Sequence, residues 1–99
     1  MAKITPPNVK VLATGENLIV KQMQAKSGAQ LPPHSANLES VVILLEGECI
    51  FILDEEKRTL VQGDTIVVPP HIRHQFIVTQ DFRAAHIMPK EIKFEFYEI

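Results

Sequence analysis

With 99 residues, ten Lys+Arg against twelve Asp+Glu and a formal net charge of −2, the chain is sized for one domain and carries no basic footprint for nucleic acid. Its 45% hydrophobic and 22% charged residues are the balance of a folded protein, and its one cysteine, Cys49, excludes an internal disulfide framework or a thiolate zinc finger. The longest apolar run, residues 41–45, is far short of a bilayer span, and residues 1–7 lack the apolar stretch of a signal peptide, so a cytoplasmic protein without membrane contact is expected.

Residues 1–8, with Pro6-Pro7, read as a loose arm. The first good strand is residues 17–24, where Leu18, Val20 and Gln22 alternate with Ile19, Lys21 and Met23. Ser27-Gly28 to Pro32-Pro33 breaks it, and His34 opens the next strand. Residues 40–45 form a strand, Glu46-Gly47-Glu48 a turn, and residues 49–53 a further strand. A charged hairpin tip, Asp54-Glu55-Glu56-Lys57, leads to residues 58–61, and Gln62-Gly63-Asp64 turns the chain into residues 65–68. Pro69-Pro70 ends that strand, because proline cannot donate to a ladder. Residues 74–79, 83–88 and 92–98 complete the set. No segment holds a helical apolar period, and roughly eight or nine short strands at this spacing describe an all-β sandwich or barrel. Residues 41–45 and 65–68 are apolar on both faces and are expected to be covered on both.

Four imidazoles are available, and two of them share a setting. His34 follows Pro32-Pro33, and His74 follows Pro69-Pro70-His71-Ile72-Arg73; each opens a strand after a rigid corner, so the two can converge at one barrel mouth. Gly28, His34 and Gly47 stand at fixed positions of the first cupin motif, and Gly63, Pro69 and His74 at those of the second. The sequence therefore resembles a small single-domain cupin, which implies a jelly-roll barrel spanning residues 1–99. The resemblance also identifies what has changed. Ala36 takes the place of the second ligand histidine, Ser40 that of the carboxylate, His71 that of a glycine and Val78 that of the final asparagine. Glu39 is one residue out of the ligand register, which turns it to the opposite face unless a bulge intervenes.

Two functions remain open on these residues. In the first, the barrel binds a small molecule, with His34, Ser40 and His74 as polar groups at its mouth and a divalent transition metal (Zn, Ni, Fe, Mn or Cu) held weakly by the two histidines. In the second, which the resemblance supplies, a metal-dependent dioxygenase, isomerase or cyclase acts on a small organic acid, sugar or polyketide. His86, between Ala84-Ala85 and Ile87-Met88, is then the candidate third ligand, the alternative being a core imidazole bonded to a backbone carbonyl. Gln22 and Gln24 share one strand face and are candidate ligand-binding amides if that face looks into the lumen. Cys49 reads as a small buried hydrophobe, and Met23, Met88, Phe51, Phe76 and Phe82 as core. The terminal strand places Ile92, Phe94 and Phe96 on one apolar face, and a homodimer covering that face is expected.

Overall fold

The computed structural model describes residues 3–97 and contains eight strands: β1 (Asn8–Thr14), β2 (Leu18–Ala25), β3 (His34–Ala36), β4 (Ser40–Leu53), β5 (Glu56–Val61), β6 (Thr65–Val68), β7 (His74–Pro89) and β8 (Phe94–Phe96). The fold is an all-β jelly roll, and no helix among the described residues is long and apolar enough to cross a membrane.

Its frame is one antiparallel ribbon. β4 and β7 pair along almost their whole length, from Val41 opposite Ile87 to Leu53 opposite His74. The register shifts between Leu44 and Cys49, and there the ribbon folds over on itself. One arm, residues 40–46 of β4 with the second half of β7, is extended by β6 on one side and by β2 and β1 on the other. The other arm, residues 48–53 with the first half of β7, is extended by β5 and by β3 and β8. Two sheets that share β4 and β7 thus face each other, and the side chains between them form the core. Leu44, Cys49, Leu60, Val68, Val78 and Ala84 are all but sealed from solvent, and Phe51, Phe76 and Phe82 stack through the middle at 5.0 and 6.3 Å between centroids. Burial of each large apolar side chain contributes roughly 1.5–3 kcal/mol.

Several expectations change. Glu46-Gly47-Glu48 is not a turn between two strands but the bend within β4, and β7 runs unbroken through Asp81. Gly47 has φ 88°, and a Cβ built there would meet the Asp81 carbonyl oxygen and lie 2.8 Å from Phe82 Cα, so only glycine fits. Residues 8–14 form the edge strand β1 and pair with β2 through a bulge at Leu12. Upstream, the Thr5 N–H donates to the Gln30 carbonyl at 2.8 Å, tying the start of the described chain to the sheet. The outer face of β6 is open, with Val67 57% exposed, so that strand is covered on one side only. β8 is shorter than residues 92–98, and Glu98 lies outside the described residues.

His71 accounts for the altered glycine of the second motif. It sits at φ 68°, and its N–H donates to the Ala36 carbonyl at 2.7 Å. A left-handed residue is needed at that corner, and histidine adopts this conformation more readily than most.

Gly47→Ala combines a left-handed φ with a steric overlap, and is expected to cost about 2–5 kcal/mol. Urea unfolding followed by far-ultraviolet circular dichroism measures it as a fall in midpoint at unchanged m.

Candidate functional site

A straight strand would hold His74 and His86, twelve residues apart in β7, about 40 Å from each other. The bend at Gly47 instead sets the two ends of the ribbon face to face. His34 is the register partner of His74 across β3 and β7, and their rings meet edge-on at 4.5 Å between centroids. Phe94 of β8 lies 5.1 Å from His34 and 6.2 Å from His86, so one phenyl ring touches both sheets' histidines. Phe96 packs on His34 at 5.2 Å, and Phe51 on His74 at 5.8 Å.

Each corner also fixes its histidine's tautomer. His34 Nδ1 is 3.1 Å from the Pro32 carbonyl oxygen, and His74 Nδ1 is 3.1 Å from the Ile72 carbonyl oxygen. A carbonyl only accepts, so both Nδ1 atoms carry the proton and both Nε2 atoms keep a free lone pair. No buried side-chain nitrogen or oxygen among the described residues lacks a partner, so these two Nε2 atoms, which have none in the described protein, are not fully sealed from solvent. His86 is arranged differently: its Nε2 lies 2.8 Å from Ser40 Oγ, and both residues are buried.

The rings are neutral at pH 7. Burial, then the neighbouring His74, lowers the His34 pKa to about 4. Burial lowers His74, against the opposing bond to Ile72. Burial, then His34, His74 and Lys21, lowers His86 to about 4.

The structure thus brings His34, His74, His86 and Ser40 together and separates the two glutamines from them. Gln22 and Gln24 pair with Ala85 and Arg83, on the outer face of the sheet, because the inward residues of β7 are Phe82, Ala84, His86 and Met88. The Arg83 guanidinium, which also binds Glu46 at 2.7 Å, reaches Gln22 Oε1 at 3.4 Å. Gln24 lines an open groove of about 770 Å³ at the outside of the bend, with Lys26, Glu46 and Arg83, and none of the histidines borders it. A second, small pocket of about 130 Å³ touches His74 beside Asp54 and Arg73. Glu39 is exposed, consistent with its register. Cys49 is fully buried, and burial, then Glu48 and Asp64, pushes its thiol up to about 12, so it is packing and not a nucleophile.

Two participants escaped the sequence reading. Phe94 belongs to the site: β8 pairs with β3, which turns its apolar face onto the imidazoles. Lys21 is the register partner of His86 and stands in the inward row Ile19, Lys21, Met23. The signal was present as a single lysine in the row that also supplies Met23 to the core.

The donor set does not make a three-ligand metal centre. Among the described residues no three of His, Cys, Asp or Glu are placed to share an ion. His34 and His74 offer Nε2, but Ala36 and Ser40 offer no imidazole or carboxylate, and His86 Nε2 is engaged by Ser40. Two neutral imidazoles completed by water make a weak site for a borderline transition metal.

The family model described as cupin domain matches residues 11–88. The fold is similar to the polyketide cyclase RemF from Streptomyces resistomycificus, at TM-score 0.85 and 18% identity over 94% of this chain and 72% of that one. It is also similar to a cupin superfamily protein from Desulfitobacterium hafniense (TM-score 0.77, 20% identity, 90% and 82% coverage). KdgF from Halomonas sp. is a third neighbour, at TM-score 0.76 and 24% identity over 82% of this chain and 76% of that one. At these identities the likeness carries the fold alone. No curated protein matches the chain in sequence.

The lowered imidazoles make stability depend on pH. The unfolded chain takes up protons at His34 and His86 near 6.5 and the folded chain only near 4, so the stabilisation from these two is complete above pH 6.5 and is lost as pH falls toward 4. For His86 alone the loss is about 3 kcal/mol. Urea midpoints between pH 7.5 and 4.5 are expected to fall accordingly, and more shallowly in a folded His86→Gln variant.

Proposed function

The chain belongs to the cupin family, and from that premise we propose that it binds a small organic molecule at the histidine-lined end of its barrel. The observation that carries the reading is the matched pair of tautomers. His34 and His74 each give their Nδ1–H to a backbone carbonyl and keep an Nε2 lone pair for something outside the protein. A hydroxyl or N–H of a ligand is the complementary partner, and Phe51, Phe94 and Phe96 supply apolar contact for its body. Geometry therefore favours binding over a metal-dependent reaction, which would need a third strong ligand.

Phenol, a hydroxyl on a flat apolar body, is the simplest probe. It is expected to shift the His34 and His74 imidazole resonances, and whichever of His34→Ala and His74→Ala removes the acceptor of its single O–H should weaken it at least fivefold, since one buried hydrogen bond is worth about 1 kcal/mol. Binding that ignores both substitutions would contradict the reading.

Zinc titrated into protein purified without a histidine tag is expected to bind weakly and to depend on His34. Supplying the missing donors, Ala36→His with Ser40→Glu, should tighten it at least tenfold, about 1.4 kcal/mol. About one firmly held equivalent of transition metal in the unmodified protein, lost in His34→Ala, would instead support the metal-dependent enzyme.

A homodimer is proposed as well, with its contact on β1, since Phe94 is already used against the imidazoles. All seven residues of β1 are exposed, including Val9, Val11 and Leu12. Its outer edge has no partner strand among the described residues. Antiparallel self-pairing centred on Val11 sets Lys10 opposite Leu12 and not opposite a second lysine. Sedimentation equilibrium at micromolar concentration should give twice 11.2 kDa, and Val9→Glu with Val11→Glu should give a folded monomer.

A further inference from the structure

The histidine cluster has a cation beside it and no carboxylate to match. β2 presents Ile19, Lys21, Met23 and Ala25 to the interior, opposite Met88, His86, Ala84 and Phe82 of β7. β4 continues the same face with Ser40, Val42 and Leu44. Lys21 is the only charged side chain in these three rows. Met23 and Ala25 pack against the core, which confirms the direction in which the row points. Lys21 is half-buried, whereas its neighbour Lys26 at the end of the strand is exposed.

An ammonium in such a place is ordinarily matched by a carboxylate, because partial desolvation weakens its hydration without replacing it. Here none is found. The one ion pair among the described residues is Arg83–Glu46, on the outer face. Nothing on the interior side of β2, β4 or β7 bears a negative charge, and the polar groups in the same rows are the His86 imidazole, the register partner of Lys21, and the Ser40 hydroxyl bonded to it.

We infer that Lys21 is the anchor for an anion, and that the small molecule taken up at the histidine-lined mouth is an organic carboxylate with an apolar, flat body. The inference rests on the ligand-binding reading above and names the class of ligand. The carboxylate meets the Lys21 ammonium, a hydroxyl or N–H elsewhere on the molecule donates to the free Nε2 of His34 or His74, and the body lies against Phe94 and Phe51. A fully hydrated anion such as inorganic phosphate suits this site poorly, since the groups at the histidine cluster are aromatic rings and imidazole Nε2 acceptors, with Lys21 the one cation in the rows beside it. Lys21 thus acts as a specificity determinant: it selects acids over their neutral analogues.

The test compares 4-hydroxybenzoate with its methyl ester, which keeps the ring and hydroxyl and carries no charge, in wild type, Lys21→Met and Lys21→Arg, by titration followed through the imidazole resonances of His34, His74 and His86. Methionine preserves the length and apolar stem of the lysine, and a matching unfolding midpoint certifies the fold. The acid is expected to bind at least tenfold more tightly than the ester in wild type, to lose that preference in Lys21→Met and to keep most of it in Lys21→Arg. Equal binding of the two probes, or a preference that survives Lys21→Met, would overturn the anchor while leaving the site as a neutral-ligand pocket. Phosphate displacing 4-hydroxybenzoate with equal affinity would overturn the carboxylate class. If neither organic probe moves any of the three imidazoles, the ligand-binding reading falls, and the inference falls with it.

Discussion

The close approach of Gly47 to the Asp81 backbone is the constraint on which the rest of the structure depends. A long β4–β7 ribbon is the cheapest way to satisfy many backbone groups locally, but a flat one would leave both faces half-covered. Folding it over at the one residue without a Cβ makes each arm the cover of the other. The stacked rings of Phe51, Phe76 and Phe82 fill the angle between the arms. The same fold-over sets the two distant ends of β7 face to face, so the core and the histidine cluster have a common cause.

What the cluster can do follows from solvent exclusion more than from the imidazole itself. A histidine in water is partly charged near neutral pH; these three are held neutral by burial, reinforced at His34 and His86 by the neighbouring imidazoles. Neutral rings with a fixed Nδ1–H are acceptors at Nε2, which suits either a metal or a ligand hydroxyl. The surrounding residues favour the ligand, because Ala36 and Ser40 withhold the donors a metal would need and Ser40 engages the third imidazole. The barrel thus keeps the architecture of its family while the side chains at its mouth set its own chemistry.

Most of the fold was legible because its signals are local. Thr65–Val68 is bounded by a Gly-Asp turn and a Pro-Pro corner, and the structure reproduces it residue for residue. Gly47 was misleading because a left-handed glycine looks the same in a tight turn as in a bulge; only the partner strand decides. β1 was missed for a similar reason: its residues are all exposed, and its ladder exists only because β2 lies alongside. At the site, the corner histidines could be named from their Pro-Pro settings, and Ser40 from its place in the family motif. Lys21 and Phe94 could not, since their place depends on which strands pair, β2 with β7 and β8 with β3. The outward turn of Gln22 and Gln24 has the same origin.

The central claim is that the ends of a folded ribbon deliver two neutral imidazoles of one tautomer with their Nε2 lone pairs free. Long-range proton–nitrogen correlation spectra of uniformly ¹⁵N-labelled protein at pH 7 read that state directly. The account predicts a protonated Nδ1 and an unprotonated Nε2 for both His34 and His74. A proton on Nε2 of either ring, or the averaged signals of a half-charged imidazole, would contradict it.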